Sequence, residues 1–211
     1  MADDMVRDVI WVPIIHSQVD QGSMSESIRR LYIRRVGKQK WEQHVRSVDA
    51  RWQQIRENLD LLNLDYRRVR LYQDGLPACG HEAKIVQDLA GAGSQNHQLL
   101  LDLIGRGAQL MGTESTELLL AEYELAQQVL CSMESGGSRT VGRSQQDASR
   151  RTLERRDAFI ASRINDTLQV GETGLLFLGM LHSLDPHLPA GIRIRKLATE
   201  ESLVKTQEGT P

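Results

Sequence analysis

Two short runs of apolar residues constrain the fold of this chain more than any other feature. Residues 9–16 and 175–181 are almost entirely apolar, without the alternation of apolar and polar residues that marks a half-exposed strand. Such runs are typical of strands buried on both faces, as in a sheet that helices cover on each side. They predict two buried strands of an α/β protein.

Further segments complete the predicted sheet and its covering layers. Three more strands are expected at 67–72, 108–111 and 192–197, the last with the alternation of an edge strand. Helical patterns separate the strands, beginning near residue 26 and continuing at 41–62, 80–90, 94–104, 115–133 and 145–168. Because strands alternate with helices, the sequence predicts a mostly parallel sheet covered by helices.

The most regular helical segment covers residues 41–62. Its apolar residues recur at steps of four and three and form a heptad-type seam: Trp41, Val45, Val48, Trp52, Ile55, Leu59 and Leu62. One interpretation is a long helix packed on the domain core or on a neighbouring helix. The other is a lid or a helix that joins two copies in a homodimer, although three heptads are borderline for an independent coiled coil.

Composition favours one globular domain over residues 1–198. The chain has 211 residues, of which 40% are hydrophobic, so it can bury a core without disulfides or a structural metal. The Gly- and Ser-rich segment 134–144 predicts a flexible connection, and the polar segment 199–211 predicts a disordered tail. A net charge of -2 and an aromatic content of 4% argue against a nucleic-acid or membrane-surface partner.

Cysteine usage and hydropathy bear on the compartment. The two cysteines, Cys79 and Cys131, form no CxxC pair, which excludes a zinc ribbon or a thioredoxin-type site. The first residues are acidic and lack the apolar core of a signal peptide. The longest apolar run is far shorter than the roughly 20 residues that span a bilayer. We therefore expect a cytoplasmic protein.

Polar residues follow four of the predicted strands, where parallel sheets bind their ligands. They are His16–Ser17, Asp74, Thr113–Glu114 and His182–Ser183. The two histidines have the same context, since each ends an apolar strand and precedes a serine. Imidazole is a common metal ligand and a general base near pH 7. A single strand-end histidine often only hydrogen-bonds a loop, but the matched pair favours a functional site.

Acidic residues in phase with buried helix faces are the candidate partners of these histidines: Glu82, Glu122 and Asp157. A buried carboxylate is costly unless it is paired or bound to a metal. Internal salt bridges to nearby arginines such as Arg156 are one interpretation. The segment 72–82 also concentrates Asp74, Cys79, His81 and Glu82 in one loop and helix start. Glu82 is therefore the leading partner acid, ahead of Asp74 and Glu114.

Two late motifs resemble a known group of proteins. Gly179–His182 has the form G-x-x-H at the end of a strand, and an arginine-bearing helix with Arg155 and Arg156 precedes it. This order resembles the TraB/Tiki proteins and the related ChaN and erythromycin-esterase-like group. Their first G-x-x-H corresponds here to residues 13–16, with Pro13 in place of glycine. The resemblance covers 9–16 and 150–197, and it implies an α/β fold with inward-facing histidines and acids.

For some members the resemblance also implies metal-dependent or His/Glu-assisted hydrolysis. We therefore expect a hydrolase for a small-molecule or peptide substrate, with His16, His182, Glu82 and Arg156 catalytic. Asp74, Ser17 and Ser183 are the expected substrate-binding residues. A divalent metal (Mn²⁺, Zn²⁺ or Mg²⁺) would be held by His16, His182, Glu82 and Glu114. The alternative is a non-catalytic regulator that binds a small anionic ligand and dimerises through the 41–62 helix.

Overall fold

The apolar runs form the central strands of a five-stranded sheet in which every described pair is parallel. The computed structural model describes residues 6–134 and 142–197. The strands are β1 (Arg7–Ile14), β2 (Val69–Gln73), β3 (Gln109–Met111), β4 (Thr173–Gly179) and β5 (Ile192–Lys196), in the order β3-β2-β4-β1-β5. The predicted α/β class is thus confirmed, and the alternating strand β5 lies at an edge.

Six helices of the described residues connect these strands. They are α1 (Ser25–Val36), α2 (Lys38–Asp60), α3 (Glu82–Gly91), α4 (Gln95–Gly105), α5 (Thr116–Glu134) and α6 (Arg143–Thr167). Helices α2, α3 and α4 share one apolar core with Ile10, Leu175 and Phe177 of the sheet. Helix α6 shares a second core with Val9 and Leu176 on the opposite face. The two cores explain why β1 and β4 read as continuous apolar runs.

The central strands end two residues earlier than the apolar runs do. Ile14 pairs with Gly179, and these are the last partners in the ladder between β1 and β4. The backbone N–H of Gly179 donates to the Asp74 carboxylate instead of continuing the sheet. Met180 and Leu181 therefore lie outside β4, and they are 64% and 85% exposed. His16 and His182 consequently stand in loops just beyond the strands.

The heptad seam of the predicted 41–62 helix packs within the chain. The helix is α2, and it buries Trp41, Val48, Trp52, Ile55 and Leu59. The indole Nε1 of Trp52 also donates to the carbonyl of Ile15, at 3.2 Å. This burial matches the core-packing interpretation, while Val45 and Leu62 of the seam are only partly buried. The homodimer stays a prediction.

Two predicted segments fall largely outside the described residues. Of the flexible connection at 134–144, residues 135–141 are not described, whereas α5 extends to Glu134 and α6 begins at Arg143. The predicted tail at 199–211 is not described either. Within 6–134 and 142–197, no helix combines the length and apolarity needed to cross a membrane.

Candidate functional site

The carboxyl edge of the sheet gathers the strand-end residues of four strands. His16 follows β1, Asp74 follows β2, Glu114 follows β3 and His182 follows β4. Each contacts either the Asp74 carboxylate or the side chain of Arg156, which comes from α6. The rule that parallel strands place ligand-binding residues at this edge therefore describes the arrangement well.

Asp74 lies at the centre of the cluster and is buried. Its backbone N–H continues the sheet by donating to the carbonyl of Phe177 at 2.8 Å. Its Oδ2 accepts from the backbone N–H of Gly179 at 3.0 Å. A Cβ at position 179 would come within 3.1 Å of that oxygen, so glycine permits the close approach. This contact gives the first residue of the Gly179–His182 motif a physical role.

Both histidines direct their Nε2 atoms toward the same oxygen of Asp74. The distances from His16 Nε2 and from His182 Nε2 to Asp74 Oδ2 are each 3.7 Å. The two ring nitrogens are thus separated by no more than twice that distance. The His16 side chain is 46% exposed, whereas that of His182 is 4% exposed. One imidazole therefore faces solvent and the other is enclosed.

The attraction between His16 and Asp74 shifts the pKa values of both groups. The Asp74 carboxylate raises the pKa of His16 above its ordinary value. Burial opposes ionisation of Asp74, but His16, His182 and Arg156 together hold the pKa of Asp74 well below its usual range. The pair thus stabilises the fold at mildly acidic pH. That contribution is lost as the pH rises through the raised pKa of His16, or falls through the lowered pKa of Asp74.

The Arg156 guanidinium is buried and directs its three nitrogens at carboxylates. Nη2 donates to Asp74 Oδ1 at 2.7 Å, and Nε donates to Glu114 Oε2 at 2.6 Å. Nη1 donates to Glu122 Oε2 at 2.5 Å. Although burial opposes its charge, these acids raise the pKa of Arg156. Arg156 was predicted to be catalytic, with an internal salt bridge as the other interpretation, and its contacts are with the protein's own acids.

Glu114 is fully enclosed in the loop after β3. Its Oε1 accepts from Gly75 N at 2.8 Å, in addition to the bonds from Arg156. Its backbone N–H donates to the carbonyl of Leu76, which ties this loop to the one after β2. Burial raises the pKa of Glu114, and Arg156 offsets this in part. Glu114 therefore fixes the Asp74 loop, and both of its oxygens are already occupied.

Asp157 orients His182 from the next position along α6. Its Oδ1 lies 2.5 Å from His182 Nδ1, and its Oδ2 accepts from Ser183 N at 2.9 Å. Both side chains are buried. The helical pattern correctly predicted that Asp157 faces the interior. An arginine was the partner that one interpretation expected. Its actual partner is an imidazole 25 residues later.

Glu82 does not occupy the partner-acid position. Its Oε1 accepts from the backbone N–H groups of Cys79 and Gly80, at 2.8 and 2.9 Å, and so completes the start of α3. The carboxylate beside both histidines is Asp74. Of the predicted substrate-binding serines, Ser183 is exposed and its backbone N–H donates to Asp157 Oδ2. Ser17 is half-buried and precedes the helical turn after His16.

The predicted metal ligands do not converge as one set. Glu82 and Glu114 are held by other donors, as described above. Among the described residues, no group of three or more His, Cys, Asp or Glu side chains is arranged to hold a metal ion. Three atoms of the types that bind metals do lie close together, namely His16 Nε2, His182 Nε2 and Asp74 Oδ2.

Comparison of the chain with protein-family models, with curated proteins and with solved structures finds no match. The resemblance to the TraB/Tiki and ChaN group therefore stays a prediction from short motifs. The site must be interpreted from its own geometry.

A second buried network supports the loop that carries His16. Asp20 accepts from Ser17 N at 2.7 Å and from Ser94 Oγ at 2.5 Å. Ser94 Oγ also lies 2.7 Å from His97 Nδ1, at the start of α4. Burial opposes ionisation of Asp20, but bonds from His97, Ser94 and Ser17 lower its pKa to about 2. No pattern in the sequence indicates this role of Asp20.

We expect Asp20→Asn to destabilise the protein by about 2 kcal/mol at neutral pH. The variant lacks the ionised carboxylate, which the hydrogen bonds of the folded state stabilise and whose pKa they lower. A depressed carboxylate pKa stabilises the fold above its ordinary value of about 3.9 and loses that effect as the pH falls. The difference from wild type should therefore shrink below about pH 4. Urea denaturation across this range measures it. Asp88→Asn, at an exposed ion pair with Lys84, is the control and should change stability by less than about 0.5 kcal/mol.

Proposed function

We propose that this protein is a hydrolase that works by general acid–base catalysis, with His182 as the base and His16 as the acid. One observation carries the proposal: two imidazole Nε2 atoms lie 3.7 Å from one Asp74 oxygen, while Asp157 fixes the other nitrogen of His182. A pair of titratable groups in unlike environments is the usual basis for separate acid and base roles.

His182 has the arrangement expected of a general base. Because its Nδ1 is paired with the Asp157 carboxylate, that nitrogen carries the proton in the neutral ring. The lone pair then lies on Nε2, which can accept a proton from water. Asp157 also stabilises the imidazolium that forms, as the carboxylate does in a catalytic triad. Asp157 is thus a positioning residue that acts through His182.

His16 has the arrangement expected of a general acid. Asp74 raises its pKa, so that its protonated form persists to higher pH than that of a free imidazole. Its side chain is 46% exposed, which allows contact with a bound substrate. Arg156 and Gly179 hold Asp74 in place between the two rings. We assign Arg156 this positioning role.

For an ester, hydrolysis proceeds in two steps. Water attacks the carbonyl carbon, its oxygen forms the new C–O bond, and one of its protons passes to His182 Nε2. The tetrahedral intermediate collapses, the bond to the alcohol oxygen breaks, and that oxygen takes a proton from His16. The products are an acid and an alcohol. Exchange with solvent returns the proton from His182 and restores the proton on His16.

A metal-dependent hydrolase is the second candidate, because His16, His182 and Asp74 supply the ligand types it needs, although they are not arranged as a metal site in this structure. Two imidazole nitrogens and a carboxylate oxygen are ligands that Zn²⁺ and Mn²⁺ accept, and such an ion would activate water. Thermal denaturation with Mn²⁺, Zn²⁺ or Mg²⁺ separates the candidates. A rise in Tm that disappears in His182→Ala favours the metal, whereas hydrolysis unaffected by EDTA favours the histidine pair.

The first test is hydrolysis of ethyl acetate, whose alkoxide leaving group needs a proton, by wild type and by His16→Gln. We expect His16→Gln to lower kcat/KM about 100-fold, because the general acid is removed. Wild-type kcat/KM should fall as the pH rises through the raised pKa of His16, and this limb should be absent in the variant.

His187→Gln is the matched control, because His187 is an exposed histidine only five residues from His182. Its rate should equal that of wild type. Wild-type hydrolysis no faster than buffer, or an equal loss in both variants, would reject the proposal. In that case the non-catalytic interpretation from the sequence would stand.

A further inference from the structure

A groove opens beside His16, between the loop after β1 and helix α2. It contains about 330 Å³ of space, open solvent included. The loop contributes Ser17 and Gln21 to its lining. The apolar part of the lining comes from α2 and consists of Trp41, Val45 and Val48. The groove therefore offers a molecule both apolar surface and polar side chains.

The position of His16 indicates which part of a substrate the groove would hold. In the proposed reaction, His182 activates the water and His16 gives its proton to the leaving oxygen. Of these two imidazoles, only that of His16 lines the groove. The leaving-group side of a bound substrate therefore extends into the groove, and the acyl side lies outside it.

Charge does not select the ligand of this groove. The lining holds the carboxylate of Asp49 and the imidazoles of His16 and His44, so that groups of both signs are present. Asp49 is exposed, and its Oδ1 accepts from Gln95 Nε2 at 2.7 Å. Selectivity must therefore come from hydrogen bonds and apolar contact rather than from net charge.

Two acceptors in the lining lack a hydrogen-bond partner. Within the described residues, Ser17 Oγ and Gln21 Oε1 are buried and make no hydrogen bond. An acceptor left in this state is costly, and a donor from a ligand removes the cost. Because an amide oxygen can only accept, the partner that Gln21 Oε1 requires is an N–H or O–H group.

The loop holds these acceptors in place. The backbone N–H of Ser17 donates to Asp20 Oδ2 at 2.7 Å, and that of Gln21 donates to the carbonyl of Gln18 at 3.3 Å. Asp20 in turn accepts from Ser94 Oγ at 2.5 Å. A ligand therefore meets a backbone that is already ordered, which lowers the entropic cost of binding.

We infer that the groove binds the leaving group of the substrate and recognises an uncharged hydrogen-bond donor on it, the N–H of an amide. Ser17 Oγ and Gln21 Oε1 are the acceptors, and the apolar residues of α2 contact the carbon chain that carries the amide. The inference rests on the proposed function, because it names the substrate class of the same site. That class consists of esters or amides whose leaving group carries a further amide N–H, as a peptide does beyond its scissile bond.

Two acetate esters that differ in one group test the inference. The acetate ester of N-acetylethanolamine carries an amide N–H in its leaving group, and the matched ester has CH₂ in place of that N–H. We expect the wild-type kcat/KM to be at least about tenfold higher for the amide-bearing ester, after division by the rate constant of each ester with hydroxide. Equal values, or a preference for the matched ester, would overturn the inference.

Removal of both acceptors should abolish this preference. In Ser17→Ala/Gln21→Met, we expect the corrected ratio of the two kcat/KM values to fall to about one. Gln43→Met/Ser132→Ala makes the same replacements at exposed positions outside the lining, and it should keep the wild-type ratio. Because a ratio does not depend on the amount of active protein, poor folding of a variant cannot imitate the result. Equal ratios in the two double variants would contradict the inference.

The place of the N–H within the substrate tests which side enters the groove. Ethyl N-acetylglycinate and ethyl levulinate differ in the same way, but here the N–H belongs to the acyl part. We expect their kcat/KM values, corrected for reaction with hydroxide, to agree within about threefold. A preference as large as that between the acetate esters would show that the groove does not select the leaving group, and the inference would fail.

Failure of the proposed function can be recognised separately. If wild type hydrolyses none of these esters, binding of N-acetylethanolamine and of the alcohol with CH₂ in place of its N–H is measured by saturation-transfer NMR. A signal for N-acetylethanolamine alone, lost in Ser17→Ala/Gln21→Met and kept in Gln43→Met/Ser132→Ala, would support the groove without the chemistry. No signal for N-acetylethanolamine, equal signals for both alcohols, or a signal that survives loss of both acceptors would reject the inference as well.

Discussion

Replacing Arg156 with leucine is expected to lower the free energy of unfolding by about 3–5 kcal/mol, the cost of removing one partner from a buried ion pair. The guanidinium is 4% exposed and lies between Asp74 and Glu114, which are 7% and 0% exposed. Without it, two buried carboxylates face each other without the cation that lay between them, and only Asp74 keeps an imidazole nearby. Glu114 must then stay unpaired or take up a proton, and both outcomes cost stability at neutral pH.

Urea denaturation at pH 7 measures this loss, with Arg155→Leu as the control. Arg155 is the preceding residue of α6, is 66% exposed, and lies 4.0 Å from an exposed Glu117. Its replacement should change stability by less than about 1 kcal/mol. If Arg156→Leu is no more destabilising than Arg155→Leu, the buried ion pairs do not stabilise the fold.

A double variant identifies the origin of the destabilisation. Adding Glu114→Gln to Arg156→Leu removes the unpaired carboxylate, so part of the lost stability should return. Burial already raises the pKa of Glu114, so this is the carboxylate most readily neutralised. Without recovery, the loss would instead come from packing of the arginine side chain.

The fold was predictable because its signals are local. The unbroken apolar runs of β1 and β4 arise from burial on both faces, and that pattern is visible in the residues themselves. The strand-end rule then placed His16, Asp74, Glu114 and His182 at one edge before any distance was known. What the apolar runs did not reveal is where the strands stop, since the Asp74 carboxylate ends β4 by taking the N–H of Gly179.

The pairing of the site's acids was less predictable because it depends on contacts distant in sequence. Glu82 shares a dense polar segment with Asp74, yet its carboxylate bonds to the backbone three residues earlier. Asp157 and His182 are on different elements, and Asp20 meets Ser94 from 74 residues away. A helical period shows that an acid faces inward, but not which group it meets there.

Asp157→Asn is expected to lower kcat for p-nitrophenyl acetate by about a thousandfold while the protein stays folded. The backbone N–H of Ser183 donates to Asp157 Oδ2, and this bond fixes which side of the new amide carries oxygen. The amide NH₂ then faces His182 Nδ1 and requires an unprotonated nitrogen there. The imidazole proton moves to Nε2, which can no longer accept a proton from water.

Three measurements distinguish this tautomer effect from structural damage. KM should change little, because Asp157 is buried behind His182 and does not line the groove. Asp166→Asn, at an exposed position of the same helix, should retain the wild-type kcat. Because Asp157 acts only through the imidazole, the double variant Asp157→Asn/His182→Gln should lose no more activity than His182→Gln alone. Additive losses, or a fall in kcat of less than tenfold in Asp157→Asn, would mean that His182 does not act as the base.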